Sequence, residues 1–299
     1  MTTAATDTKA TGATGREPWG ARAGRLLRAV LSWPNAAALA VAAFVAAPLY
    51  WMAATSLKPP EEIGTHPPTA WPENATWANY RDAFTDNHFG TYLLNSVLVS
   101  VIATLLVLSL SAFAGYALAR LPLRGKAPIM VSLLMISLFP TIALAAPLFL
   151  LMRDMGWLNS YQGLILVYTA LNVPFAIWIL RNFFQSIPKE MEEVAWVDGA
   201  SPLRTVLSVI LPQATPGVFT AAIFTFTACW TEFLIALTLN TADRYRTMPV
   251  GLALFGSQFT VPYGTIFAAA TVSVLPIALL VLIFRRAVVS GLTAGAVKG

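Results

Sequence analysis

Residues 190–212 read Glu190-Met191-Glu192-Glu193-Val194-Ala195-Trp196-Val197-Asp198-Gly199-Ala200-Ser201-Pro202-Leu203-Arg204-Thr205-Val206-Leu207-Ser208-Val209-Ile210-Leu211-Pro212. The segment carries four carboxylates, yet it lies between long apolar runs in a chain that is 57% hydrophobic and only 11% charged. Outward from it, charge-free stretches cover 29–57, 89–119, 127–152, 155–180, 205–231 and 247–284. A helix needs about 20 apolar residues to cross roughly 30 Å of hydrocarbon, and every stretch is longer than that. The mean hydropathy of +0.67 excludes an ordinary soluble domain. The expected fold is all-α and integral to the membrane, with six spanning helices near 36–57, 91–119, 128–151, 161–181, 214–238 and 264–284. The short alternating strands of a closed barrel are missing from the pattern.

Basic residues set the orientation. Lys9, Arg16, Arg22, Arg25, Arg28, Arg120, Arg124, Lys126, Arg181, Lys189, Arg204, Arg285, Arg286 and Lys298 share one side, which is 14 of the 19. Lys58, Arg81, Arg153, Arg244 and Arg246 lie on the other. The positive-inside rule then places both termini and residues 190–212 in the cytoplasm. The net charge of +5 follows from this asymmetry, and nothing further in the sequence points to nucleic acid. Residues 1–28, rich in Thr, Ala, Gly and Arg, read as a disordered tail. The first apolar run is long enough to span and no small-residue cleavage pattern follows it, so a cleaved signal peptide is not expected. The single cysteine, Cys229, falls inside the fifth span and reads as a small buried hydrophobe.

Several connections have a readable character. The outer loop 58–88 holds five prolines, which favours irregular structure leading into a short helix near 77–84. Pro249, Gly251, Gly256 and Pro262 suggest broken or re-entrant structure after Asn240 that faces other protein. Ser111, Gly115 and Ala119 recur at four-residue spacing, a stripe that lets two helix backbones approach. Pro140, Pro147, Pro174 and Pro276 fall within spans, where they kink a helix or aid packing.

Within 186–212, Ser186 and Pro188 fit the start of a helix. Glu190, Glu192 and Glu193 suit the positive end of its dipole, and Met191, Val194 and Ala195 form a small apolar face. Gly199 is placed to end it in the left-handed conformation. Ser201-Pro202 starts a second helix with a stripe of Leu203, Val206, Leu207 and Ile210, and Pro212 stops it. Such a pair of short helices is either an amphipathic hairpin on the headgroups or a partner-binding knob. The glutamates favour the knob, because anionic lipid repels an acidic face.

Glu193-Val194-Ala195, three residues, Gly199, nine residues and Val209-Ile210-Leu211-Pro212 resemble the Glu-Ala-Ala loop of ABC importer permeases. Asp198-Gly199-Ala200 strengthens the match, and Val194 departs from the usual second alanine. Ser56-Leu57-Lys58-Pro59, Asn79-Tyr80, Asn95-Ser96, Tyr116-Ala117-Leu118-Ala119-Arg120 and Pro147-Leu148 look like the carbohydrate-uptake branch of this family. The C-terminal 291–299 is similar to the end of its smaller maltose/trehalose-type permeases. The resemblance implies a type I permease domain over 29–290, in a bacterial cytoplasmic (inner) membrane. It further implies a second permease, two ATPase subunits that bind ATP and Mg, and an extracytoplasmic sugar-binding protein, with no cofactor in this chain. By the same resemblance Glu193, Val194, Ala195, Asp198, Gly199 and Ala200 dock an ATPase, and Gly291, Thr293, Gly295 and Lys298 belong to a tail that reaches the ATPases. A permease for glycerol phosphate or another polyol is the related alternative.

Glu232 is the one carboxylate inside a span, so it should face protein or water. It either lines the sugar path, accepting hydroxyl hydrogen bonds, or forms an ion pair with Arg153 or Arg244. Asn172 and Trp230 are the other candidates for that path. Trp230-Thr231-Glu232-Phe233 resembles a Trp-Asn-Glu-Phe pattern of the family, with Thr231 in place of asparagine. Enzymatic readings find little support. The sequence has no Gly-x-x-x-x-Gly-Lys phosphate loop and no His-Glu-x-x-His or Gly-x-Ser-x-Gly pattern, and its two histidines, His66 and His88, are far apart in an outer loop. An intramembrane enzyme would need paired polar groups in the spans, and a secondary carrier more buried charge.

Overall fold

The computed structural model describes residues 33–256 and 261–296, with side chains as far as 284. Helices are the only regular structure among the described residues. The chain divides into two units, 1–51 and 52–299. The first contains most of α1 (Trp33–Ser56), which matches the expected first span. The expected tail over 1–28 lies outside the described residues.

In the second unit, α2 (Pro60–Ile63) and α3 (Ala78–Thr85) occupy the first long loop, followed by α4 (Phe89–Arg120), α5 (Lys126–Ser137) and α6 (Thr141–Asp154). Then come α7 (Tyr161–Ser186), α8 (Glu190–Val197), α9 (Pro202–Thr205), a π-helical turn (Val206–Ile210) and α10 (Leu211–Gln213). The remainder is α11 (Thr215–Thr231), α12 (Leu234–Leu239), α13 (Met248–Ala253) and α14 (Tyr263–Ala296). Four helices, α1, α4, α7 and α14 as far as Phe284, are long and apolar enough to span, and the number rises to six if each of two bent pairs counts as one span.

The first bent pair breaks the expected span over 128–151: α5 and α6 meet at 90°. Pro140 is the cause. It supplies no N–H and disfavours helical geometry at Phe139, so the chain turns there. Pro147, Pro174 and Pro276 remain inside their helices. The second bent pair is residues 202–213 against α11, at 79°. The expected fifth span, 214–238, is also interrupted, because Glu232 leaves the helix with ψ 129° before α12 begins.

Helices α4 and α7 lie side by side at the centre, with α11 against both and α14 against α11. The close approach has a local cause. A Cβ on Gly115 would stand 3.2 Å from the Arg181 backbone nitrogen, and Ser111 Oγ donates to the Val173 carbonyl at 3.3 Å. Two of the three residues of the small stripe therefore sit at the α4–α7 contact. Val107, Tyr116, Ala176, Leu180, Phe184 and Ile210 fill one core cluster. Val99, Ala103, Leu164, Tyr168, Cys229 and Ile235 fill another.

The polar residues of the sequence motifs are braces. Asn79 Nδ2 donates to the carbonyls of Ser56 and Lys58 at 2.9 and 2.7 Å, and Ser56 Oγ meets the Tyr80 hydroxyl at 2.8 Å. Asn95 Nδ2 donates to the Arg244 and Arg246 carbonyls at 2.9 and 2.8 Å, and Ser96 Oγ accepts from Met248 N at 2.7 Å. These bonds hold the start of α13 against α4, where a Cβ on Gly251 would strike the Tyr92 ring at 2.0 Å. The break expected after Asn240 is present as a 3₁₀ turn (Asp243–Tyr245) and α13.

The proline-rich loop is tied down by Glu62. Its carboxylate accepts from Thr69 Oγ1 at 2.7 Å and from Glu73 N at 3.0 Å. The Thr69 hydrogen bond holds the Glu62 carboxyl below its ordinary range; burial opposes this, and the Glu73 and Asn74 amides and the Lys58 charge assist. A depressed folded-state pKa contributes stability that is present above the unfolded-state value and is lost as pH falls through the folded one. Limited proteolysis within 64–76 is therefore expected to accelerate below about pH 4 in the unaltered chain. Glu62→Gln should raise cleavage at neutral pH and flatten this acid dependence. An identical acid dependence in the two proteins would contradict the assignment.

Candidate functional site

The polar segment of 186–212 forms one end of the second unit. Ile187 is extended (ψ 132°), as a residue before proline prefers, and this ends α7. Ser186 is not the cap expected from the sequence. It is the last residue of α7, and its Oγ donates to the Phe183 carbonyl at 2.8 Å. Lys189 precedes α8 instead, without a capping side chain, and Glu190, Glu192 and Glu193 fill the first turn.

Gly199 ends α8 as expected. Its φ of +79° is left-handed, Gly199 N donates to the Trp196 carbonyl at 3.0 Å, and Ala200 N donates to the Ala195 carbonyl at 2.9 Å. This is the Schellman pattern, in which two otherwise free carbonyls are satisfied at the turn. Ser201 Oγ accepts from Arg204 N at 3.4 Å, and Pro202 occupies the first turn of α9. Pro212 does not stop the second helix. The chain stays helical through Gln213 and breaks at Ala214, where ψ is 5°. Pro212 has no N–H for the Ser208 carbonyl and its ring would crowd that carbonyl; the π turn at Val206–Ile210 opens the helix there.

The inner face of α8 differs from the expected apolar one. Ala195 is buried and Met191 is half-buried, but Val194 is 60% exposed and Glu192 takes the inward position. The reason is a partner in the core: Glu192 Oε1 meets Arg120 Nε at 2.7 Å, with the two side chains 6% and 7% exposed. The Tyr116 hydroxyl donates to Glu192 Oε2 at 3.1 Å, and the Arg120 guanidinium also donates to the Ile187 carbonyl. Sequence reasoning missed this triad, although Tyr116 and Arg120 bound the quoted Tyr-Ala-Leu-Ala-Arg motif. Of the candidate docking residues, Glu193, Val194, Asp198 and Gly199 are exposed, Ala200 is half-buried and Ala195 faces inward. Trp196 (51%) and Val197 (88%) join Val194 on the outer surface. The outer surface of α8 thus carries Val194, Trp196 and Val197 as exposed apolar side chains interspersed with Glu190, Glu193 and Asp198.

Gly291, Thr293 and Gly295 lie within the backbone of α14, and their side chains lie outside the described residues, as does Lys298 altogether.

The mid-span candidates separate into two places. Glu232 accepts from Ile235 N at 2.8 Å, Ala236 N at 3.0 Å and the Tyr168 hydroxyl at 2.8 Å. It therefore caps α12 after the break, satisfying two free N–H groups. The expected ion pairs are not formed: Arg153 pairs with Asp154 at 2.9 Å, and Arg244 lies over the Tyr245 ring. Asn172 is beside this cluster, donating to the Tyr168 carbonyl at 2.8 Å and contacting Cys229 Sγ at 3.7 Å. Trp230 belongs to a different core cluster. It is 1% exposed and its Nε1 donates to the Ser273 carbonyl of α14 at 3.2 Å. Among the described residues no group of three His, Cys, Asp or Glu could hold a metal.

Comparison with known proteins agrees with this architecture. Residues 108–293 match the family described as binding-protein-dependent transport system inner membrane component. The chain is 42% identical over 252 residues to a sulfoquinovosyl glycerol transport system permease protein of Agrobacterium fabrum, covering 84% of this chain and 88% of the relative. It is 40% identical over 228 residues to a trehalose/maltose transport system permease protein of Thermococcus litoralis (75% and 82% covered). It is likewise 40% identical over 261 residues to a trehalose transport system permease protein of Mycobacterium tuberculosis (87% and 94% covered). In fold it is similar to a chain of a bacterial ABC transporter involved in import of the acidic polysaccharide alginate, with a TM-score of 0.73, 23% identity and coverage of 90% and 99%. An interrupted, multi-pass helical unit with a polar double-helix loop at one end, matched over most of its length by such permeases, is a member of the binding-protein-dependent transport system inner membrane component family.

Proposed function

We propose that this chain is the permease subunit of a carbohydrate importer, and that an ATPase subunit docks on the outer face of α8. Three relatives that carry sugar-transport names over three quarters or more of this chain support the substrate class. The single observation that carries the docking reading is the outer face of α8. Val194, Trp196 and Val197 stand exposed beside Glu193 and Asp198, on a helix held from below by a buried ion pair. Large apolar side chains left exposed among acids on a short helix mark a protein contact. The basic-residue asymmetry supports placing that face and both termini in the cytoplasm, the side where ATP is available. A companion permease would complete the path, an external binding protein would deliver the sugar, and ATP and Mg would be carried by the ATPases. The tail with Gly291, Thr293, Gly295 and Lys298 would extend toward those ATPases.

In a complex reconstituted with its companions, Glu193→Lys is expected to lower ATPase retention at least about tenfold, equivalent to about 1.4 kcal/mol, while the permease still inserts. ATPase retention equal to that of the unaltered chain would reject α8 as the docking element.

A further inference from the structure

We propose that the Arg120–Glu192 ion pair, with Tyr116, is the link through which displacement of α8 passes into α4. This rests on the docking role proposed for α8. Three elements meet at one guanidinium: the C-terminal end of α4, which Arg120 closes; α8, through Glu192; and the α7–α8 joint, through the Ile187 carbonyl. Apart from this contact, the inward surface of α8 is small, consisting of Ala195 and part of Met191. A charge pair whose nearest atoms are 2.7 Å apart, between nearly inaccessible side chains, resists being pulled apart. Tyr116, about one turn earlier on α4, holds the second carboxylate oxygen, so Glu192 is fixed at two points on one helix.

Stability alone does not require such a pair, because well-packed apolar residues of similar volume hold a contact equally well. Attraction that resists separation of the two helices is what the pair adds. Its destination is also on α4. That helix runs 32 residues to its other end, where Asn95 and Ser96 grip the backbone of Arg244, Arg246 and Met248. A push on α8 is thereby delivered to the opposite end of the unit along one helix.

The test uses the chain assembled with its companion permease and ATPase subunits in lipid nanodiscs. A spin label is placed near the far end of α4 at Leu94, which is 70% exposed, by Leu94→Cys in a Cys229→Ser background. Adding ATP, Mg and vanadate should change the label's spectrum in the otherwise unaltered chain. In Arg120→Met with Glu192→Leu, the apolar pair keeps the volume and strands no charge, so ATPase subunits should still co-purify. The ATP-dependent spectral change should nevertheless fall at least about fivefold. Glu192→Gln, which keeps the shape and removes the charge, should lower it as well and gives a second reading if the double variant does not accumulate. A full-sized response in either variant with ATPase bound overturns the link and leaves the docking reading intact. Loss of the ATPase from these variants also overturns it, by placing the pair in docking itself. An unaltered chain that retains no ATPase instead defeats the docking reading, and the link with it.

Discussion

Glu232→Ala is expected to destabilise the folded subunit by about 3 kcal/mol or more, because each buried donor left without an acceptor costs about 1–3 kcal/mol. Three donors lose their acceptor together: the amides of Ile235 and Ala236 and the hydroxyl of Tyr168, which is 1% exposed as a residue. Water that would replace the carboxylate at the surface is scarce inside a span. Glu232→Gln keeps one carbonyl oxygen for the helix start and should cost less than half as much. Thermal unfolding in detergent, followed by loss of helical signal, measures both. The same pair of variants separates capping from a direct role in the sugar path. Uptake that tracks stability supports capping, whereas uptake abolished in a Glu232→Gln protein of unaltered stability supports contact with substrate.

Two residues earlier, Trp230→Ala should cost about 3 kcal/mol, the range for removing a large buried side chain. Lipid is as apolar as the core, so little of that cost is hydrophobic transfer. It comes from lost dispersion contacts and the cavity between α11 and α14, where the indole stacks on Phe226 at 5.5 Å and 19°. The Ser273 carbonyl loses its extra donor as well. Trp230→Phe refills most of the volume and should recover more than half of the loss. An unfolding temperature for Trp230→Ala equal to that of the unaltered subunit would show that this contact does not hold α14.

What could be read from the sequence was local. Gly199 had to turn left-handed because a helix with an acidic start ran into it, and Ser201-Pro202 announced the next helix by side chains within reach of its first turn. Hydropathy located the apolar lengths but is insensitive to direction, so it marked neither the right angle at Pro140 nor the interruption at Glu232. Ser186 misled because a serine before a proline also suits the end of a helix once Ile187 is forced extended. Glu192 was read as one of three dipole-favouring acids. Its inward position depends on Arg120, 72 residues earlier and on another helix. The Ser56, Asn79, Asn95 and Ser96 motifs were visible as patterns, but their work as braces to distant carbonyls depends on the folded chain. Whether Glu232 paired with Arg153 or Arg244 was likewise beyond one-dimensional reasoning, since both arginines had nearer partners.

The right-angled corner between α5 and α6 bears on how this chain is anchored. Its limbs have 12 and 14 residues, roughly 18 and 21 Å at 1.5 Å per residue, and neither alone crosses about 30 Å of hydrocarbon. In sequence they form one charge-free run, 127–152. The two limbs can therefore cross only as a pair, and the backbone groups that Pro140 releases need shelter from neighbouring helices. Neither limb is thus an independent membrane anchor, and a change that separates them removes the third crossing altogether.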